Sequence, residues 1–186
     1  MFLKILLASS LIMSFLFGYK VDNISSGSTI NQLENIPYKD GQKYLMLNMG
    51  LNDIRNGHTH LMYKKFIFGK NADITLYFTR KSKVVYKTEV TWGMMAGAFN
   101  TIAGLNEKEK NKFFLKLKSL LQKKYKSIGE NKFKVDNYST VEILNNATNV
   151  QLVYIDKRFL QKNKKEEKEY KLKKEAKEYK KALRDL

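Results

Sequence analysis

Alternating hydrophobic and polar residues predict four β-strands in the first half of the chain, at residues 42–49, 61–68, 73–80 and 83–92. In the third strand, Ile74, Leu76 and Phe78 fall on one face, as the two-residue period of a half-buried strand requires. The short connection at Lys81 and Ser82 predicts a β-hairpin with a basic tip. Residues 50–57, between the first two strands, are expected to form a loop.

A helical period replaces the alternation after residue 105. Asn106 is a candidate N-cap residue, with Glu109 three positions later, as in a capping box. Gly129 marks the end of the helix. The stripe at helical spacing that should face the core consists of Phe114, Leu117, Leu121, Tyr125 and Ile128.

Two further strands are predicted at residues 138–144 and 150–156, followed by a long charged helix from about Lys157 to Leu186. The predicted order is four strands, helices, two strands and a helix, and such segregation of strands from helices is typical of the α+β class. We therefore expect a mainly antiparallel sheet of about six strands, packed against one or two helices.

The N-terminus has the pattern of an export signal. Lys4 precedes an apolar run at residues 5–17, and Gly18 supplies a small residue at which a peptidase could cut. The run is shorter than the roughly 20 residues that span a bilayer. We expect a signal peptide at 1–18 and a mature chain that begins near Tyr19; an uncleaved N-terminal anchor is the alternative.

The rest of the chain divides by composition into three parts. Residues 19–40 are polar and are expected to form a flexible N-terminal arm. Residues 41–160 should form the α+β domain. Residues 161–186 should form a basic helical extension that leaves the core after Leu160, because residues 162–169 are nearly all charged.

Composition narrows the function classes. The 186 residues include 35 Lys and Arg against 18 Asp and Glu, a net charge of +17, which favours anionic partners. The chain has no cysteine, and this excludes disulfides, thiolate nucleophiles and cysteine-bound metals. A periplasmic or secreted location argues against nucleic acid as the partner, and no nucleic-acid-binding motif is present. No cofactor is expected.

His58 and His60, the only histidines, follow the turn dipeptide Asn56-Gly57. On one strand they would share a face, and Glu89 is the best candidate for a third metal ligand. A metal-dependent or histidine-dependent hydrolase is therefore one alternative. The simpler interpretation is that both histidines are exposed polar residues near a turn.

The stretch 93–104 is small and apolar. It lacks the sequence of a phosphate-binding loop and is too short to span a membrane. Helix-on-sheet packing is the simpler prediction. The other is an apolar binding surface of Met94, Met95 and Phe99, and a carrier of an apolar ligand between the sheet and helix 106–128 is a second functional alternative.

The C-terminal helix has 13 Lys and Arg against 6 Asp and Glu in residues 157–186. Glu167 with Lys171 forms a favourable i,i+4 pair. A short apolar seam, about two heptads long, begins at Leu172. The residues predicted to contact a partner are Lys164, Lys165, Lys168, Lys171, Leu172, Lys174, Tyr179 and Leu183.

These observations predict an exported, non-catalytic binding or accessory protein, and the lysine- and asparagine-rich composition suggests the bacterial envelope. Its basic helix would contact an envelope protein or an anionic surface of lipid or polysaccharide. The same helix could support self-association through its seam.

Overall fold

The computed structural model describes residues 18–34, 50–93 and 106–184. The strands, numbered in chain order, are β1 (Lys20–Val21), β2 (Ile24–Ser25), β3 (His60–Ile67), β4 (Lys70–Phe78), β5 (Val85–Gly93), β6 (Lys126–Ser127), β7 (Lys132–Lys134), β8 (Ser139–Asn145) and β9 (Asn149–Asp156). The helices are α1 (Ile30–Glu34), α2 (Glu107–Lys124) and α3 (Lys157–Arg184), and residues 50–55 are also helical.

Seven strands form one antiparallel sheet in the order β3-β4-β5-β9-β8-β7-β6, and β1 pairs with β2 separately. The predicted α+β class with a mainly antiparallel sheet is confirmed. Five of the predicted strands correspond to β3, β4, β5, β8 and β9. The sixth, at residues 42–49, lies outside the described residues.

One face of the sheet carries the core. Residues on this face are buried in register across the strands: Leu61, Tyr63, Ile74, Leu76, Val90, Trp92, Phe133, Val141, Ile143 and Leu152. The Trp92 ring packs edge-on against Phe113 of α2, with 5.3 Å between centroids. Burying each large apolar side chain contributes about 1.5–3 kcal/mol, so this layer holds the helix on the sheet.

The N-terminal segment packs against the sheet, although a flexible arm was predicted for residues 19–40. Asp22 and Asn23 have φ values of 50° and 66°, as in the tight turn of a two-residue hairpin, and they join β1 to β2. Isolated apolar residues in this mostly polar sequence enter the core, although they form no periodic pattern: Tyr19, Ile24, Ile30 and Leu33. Residues 35–40 lie outside the described ranges.

The segment 50–55 is helical, although a loop was predicted there. Leu51 and Ile54 are three residues apart, share one face and are both buried. The helix ends at Arg55, and Gly57 lies in the turn that follows, where its φ of 110° favours glycine and its N–H donates to the Ile54 carbonyl at 3.2 Å. The turn at Asn56-Gly57 was therefore predicted correctly, but it follows a short helix and not a loop.

The start of α2 is as predicted, and its end differs. The Asn106 side chain accepts a hydrogen bond from the Glu109 backbone nitrogen at 2.9 Å, which is an N-cap bond. The helix ends at Lys124, because the next residues enter the short strand β6. Phe113, Leu117 and Leu121 are the buried apolar residues of the helix, whereas Ile128 lies beyond it and is exposed.

Candidate functional site

A surface cleft of about 640 Å³ lies between the β4–β5 hairpin, the loop at residues 56–58 and α3. Four cationic side chains and two carboxylates line it, so its charge is net positive: Arg80, Lys81, Lys83, Lys173, Glu166 and Glu169. The remaining lining residues are Asn56, Gly57, His58 and Tyr170.

The hairpin tip is fixed by its own side chains. The Val84 backbone nitrogen donates to Thr79 Oγ1 at 3.2 Å, and Thr79 Oγ1 lies 3.2 Å from Ser82 Oγ. Lys83 adopts φ 51°, a left-handed conformation that closes the turn. These contacts hold Arg80, Lys81 and Lys83 in a defined arrangement at the mouth of the cleft.

Glu166 of α3 accepts the free backbone groups of this turn. Its carboxylate accepts from the Lys81 nitrogen, from the Ser82 nitrogen at 3.1 Å and from the Ser82 hydroxyl group. Burial alone would raise the pKa of Glu166, but these hydrogen bonds outweigh it and hold the pKa below its usual value. Glu166 is buried, which is rare for a glutamate unless it is paired.

Arg80 connects the hairpin to Gly57 and to three residues of α3. Its Nε donates to Glu167 Oε1 at 3.0 Å, and its Nη1 donates to the Gly57 carbonyl at 3.3 Å. The guanidinium lies over the Tyr170 ring, 4.5 Å from the centroid, in a cation–π contact. The Arg80 backbone nitrogen also donates to Asn163 Oδ1 at 3.0 Å. The first half of α3 is thus attached by directional polar contacts.

The helix therefore stays in contact with the hairpin as far as Tyr170, ten residues beyond the predicted exit at Leu160. The prediction considered only apolar burial, and this attachment is mainly polar. Near the start of the helix, the Phe159 ring packs on Gly27, where a Cβ atom would lie 2.7 Å from the ring.

Beyond Tyr170 the helix projects from the domain, with Lys173 still bordering the cleft. Every residue from 171 to 184 is exposed. These 14 residues include seven Lys and Arg against two Glu. The predicted seam is uncovered, since Leu172, Tyr179 and Leu183 are each more than half exposed.

The predicted contact residues occupy two zones of α3. Lys164, Lys165 and Lys168 are exposed on the attached half of the helix. The remaining ones lie on the projecting half: Lys171, Leu172, Lys174, Tyr179 and Leu183. Sequence reasoning missed Glu166, Arg80 and Tyr170. Their contacts attach the first half of α3 and so determine where its projecting half points.

The proposed metal ligands do not converge. His58 precedes β3 and borders the cleft, where its carbonyl accepts from Lys83 Nζ at 3.2 Å, whereas His60 is the first residue of β3. Glu89 lies two strands away, and its carboxylate already accepts from Tyr77 at 2.7 Å and Lys87 at 2.8 Å. Across the three described ranges, no group of three His, Cys, Asp or Glu residues could hold a metal ion.

Burial and the adjacent Arg80 lower the pKa of Lys83. The Tyr77 pKa is raised by burial and by its hydrogen bond to Glu89. Both shifts follow from local packing.

Met94, Met95 and Phe99 lie outside the described residues, so the predicted apolar surface does not enter this site.

Within the described ranges, no helix is long and apolar enough to cross a membrane. Comparison of the chain with protein families, curated proteins and solved structures finds no match.

Proposed function

We propose that the protein is an exported, non-catalytic binding protein of the bacterial envelope, and that the projecting half of α3 contacts an anionic surface. The observation that carries the proposal is the contrast within one helix. Residues 157–170 are fixed to the sheet and hairpin, whereas residues 171–184 are exposed and carry seven cations against two anions.

A fixed helix base makes the projecting half an effective binding element. At 1.5 Å per residue, residues 171–184 extend about 20 Å from the domain. Because Glu166 and Arg80 hold the base, little orientational freedom is lost when the helix binds. The cleft beside Lys173 adds positive charge at the point where the helix leaves the domain.

Export is the second part of the proposal, and its support is the sequence of Lys4, the apolar run at 5–17 and Gly18. A cationic protein outside the cytoplasm would meet phospholipid headgroups and anionic polysaccharide. Charge attraction to such surfaces contributes about 1 kcal/mol for each Lys or Arg near the surface.

The two alternatives have less support. A hydrolase would need His58 and His60 to act with a third group, and the side chains do not converge on one point. A carrier would need space between the sheet and α2, and this interface is filled by Trp92, Phe113 and Leu117.

Vesicle binding tests the proposal. We expect the mature protein to bind vesicles that contain phosphatidylglycerol and not vesicles of phosphatidylcholine alone. Binding should weaken strongly above about 0.15 M salt, where the Debye length falls to about 8 Å. The double variant Lys171→Glu, Lys174→Glu should bind at least tenfold more weakly than the unchanged protein.

The matched control is Lys112→Glu, Lys116→Glu on the exposed side of α2, which changes the net charge by the same amount. An equal loss in both variants would show that overall charge, and not α3, is responsible. If vesicle binding resists salt and is abolished by Leu183→Asp, the apolar seam and not the charge makes the contact, and the charge-based mode is overturned.

A further inference from the structure

Gly18 lies in a polar pocket built from distant parts of the chain. A Cβ atom on this residue would collide with Ser26 Oγ and would lie 2.6 Å from both Ser139 Oγ and Asp156 Oδ2. Ser26 follows β2, Ser139 begins β8 and Asp156 ends β9. Three side-chain oxygens therefore converge on the position from which a side chain at residue 18 would project.

All three oxygens belong to buried residues. Ser26 Oγ donates to Asp156 Oδ2 at 2.8 Å, and Arg158 binds the same carboxylate through Nη2 at 2.6 Å. Ser139 Oγ, in contrast, has no hydrogen-bond partner among the described residues. A buried hydroxyl group without a partner is costly in free energy and calls for an explanation.

Tyr19 is held independently of the residues before it. Its side chain is buried, its ring lies 5.3 Å from that of Tyr154, and its hydroxyl group lies 3.2 Å from Thr88 Oγ1. Its carbonyl accepts from the Ser26 nitrogen at 3.0 Å. Removal of the chain up to Gly18 would therefore leave Tyr19 in place.

We propose that this pocket binds the α-ammonium group that is created when the chain is cut after Gly18; the inference rests on the proposed export. In that step a peptidase adds water across the Gly18–Tyr19 peptide bond. The released leader ends in a carboxylate on Gly18, and the Tyr19 amine takes up a proton at neutral pH.

Covalent geometry places this ammonium group beside the pocket. The Tyr19 nitrogen lies about 2.4 Å from Gly18 Cα, and the departure of Gly18 opens the space towards the three oxygens. The ammonium group has three N–H donors, and the hydroxyl oxygens of Ser139 and Ser26 can accept hydrogen bonds from them. Asp156 provides negative charge, and Asp136 offsets the nearby Arg158.

Cleavage would then complete the fold at its N-terminus. The free amine supplies the partner of Ser139, whereas an extended chain fills the same space with an uncharged Gly18. We expect the processed protein to be the more stable form.

The test compares two proteins released from a cleavable fusion, one beginning at Tyr19 and the other with two added glycines before Gly18. The Tyr19 form should melt roughly 3–6 °C higher at pH 7. Ser139→Ala should reduce this difference by at least half, whereas Ser119→Ala on the exposed face of α2 should leave it unchanged.

Equal melting temperatures, or an undiminished difference in Ser139→Ala, would overturn the inference. Because both proteins are made with defined N-termini, this result does not depend on processing in the host. Mass spectrometry of the protein from its host tests export with cleavage separately, and an intact Met1 on a soluble cytoplasmic protein would refute that proposal without affecting the comparison of the two defined N-termini.

Discussion

The carboxylate of Glu166 accepts hydrogen bonds from both the backbone nitrogen and the hydroxyl group of Ser82, across 84 positions of sequence. One acidic residue of a basic helix thus closes the turn of a distant hairpin. Because these bonds are directional, they determine where α3 lies and hence where its exposed half points.

Glu166→Ala should destabilise the protein by about 1–3 kcal/mol, because it leaves the Lys81 and Ser82 backbone nitrogens without their acceptor. Glu169→Ala is the matched control, since Glu169 is exposed on the same helix and should cost less than about 0.5 kcal/mol. Urea denaturation measures both. Equal effects would mean that the carboxylate does not stabilise the hairpin.

Acid should weaken the same attachment. The pKa of Glu166 is held below its usual value, so its stabilising contribution is complete above the unfolded pKa near 4.3. That contribution is lost as the pH falls through the lower pKa of the folded state. Urea midpoints between pH 3 and pH 7 should therefore fall less steeply in Glu166→Gln than in the unchanged protein. Parallel curves would contradict the assignment.

Much of the sheet could be predicted from sequence because its signal is local. The alternation of Ile74, Leu76 and Phe78 reflects one buried face, and the Asn106 cap is a short-range hydrogen bond. Such patterns require no knowledge of distant residues. The N-terminal segment lacked them, because its buried residues are separated by polar ones and are explained only by the surface that receives them.

The attachment of α3 could not be found by looking for an apolar stripe. Asn163, Glu166 and Tyr170 lie on one helical face, but two of the three are polar and their partners are more than 80 positions away. Glu167 was expected to pair with Lys171 in the same helix, and it binds Arg80 instead. The feature of the sequence that could have indicated this attachment is the pair Glu166 and Glu167 within a run of lysines.

The histidines should contribute little to stability. His58 and His60 are both exposed, so replacing the two with alanine should change the free energy of unfolding by less than about 0.5 kcal/mol. A bound metal would behave differently, because its binding energy adds to folding stability. One equivalent of metal by elemental analysis, lost in the double variant together with a large fall in melting temperature, would reverse this interpretation.

Two glycines with similar backbones should respond differently to alanine. Gly27 and Gly69 have φ values of 81° and 76°, a conformation that costs other residues about 1–2 kcal/mol. A Cβ atom at Gly27 would lie 2.7 Å from the Phe159 ring, whereas nothing lies within 4 Å at Gly69. Gly27→Ala should therefore cost about 1–3 kcal/mol more than Gly69→Ala in urea denaturation. Equal costs would show that Phe159 does not pack there.

Two truncations separate the attached half of α3 from its projecting half. A chain that ends at Tyr170 keeps the contacts of Asn163, Glu166 and Glu167, and should melt close to the full-length protein. A chain that ends at Leu160 loses these contacts and should be destabilised by at least about 2 kcal/mol. Both should lose vesicle binding, because both lack residues 171–184. If the chain that ends at Tyr170 unfolds, the projecting half contributes to the core. If that chain instead folds and binds anionic vesicles as tightly as the full-length protein, the binding surface is elsewhere, and the basic cleft around Lys81 and Lys83 becomes the next candidate.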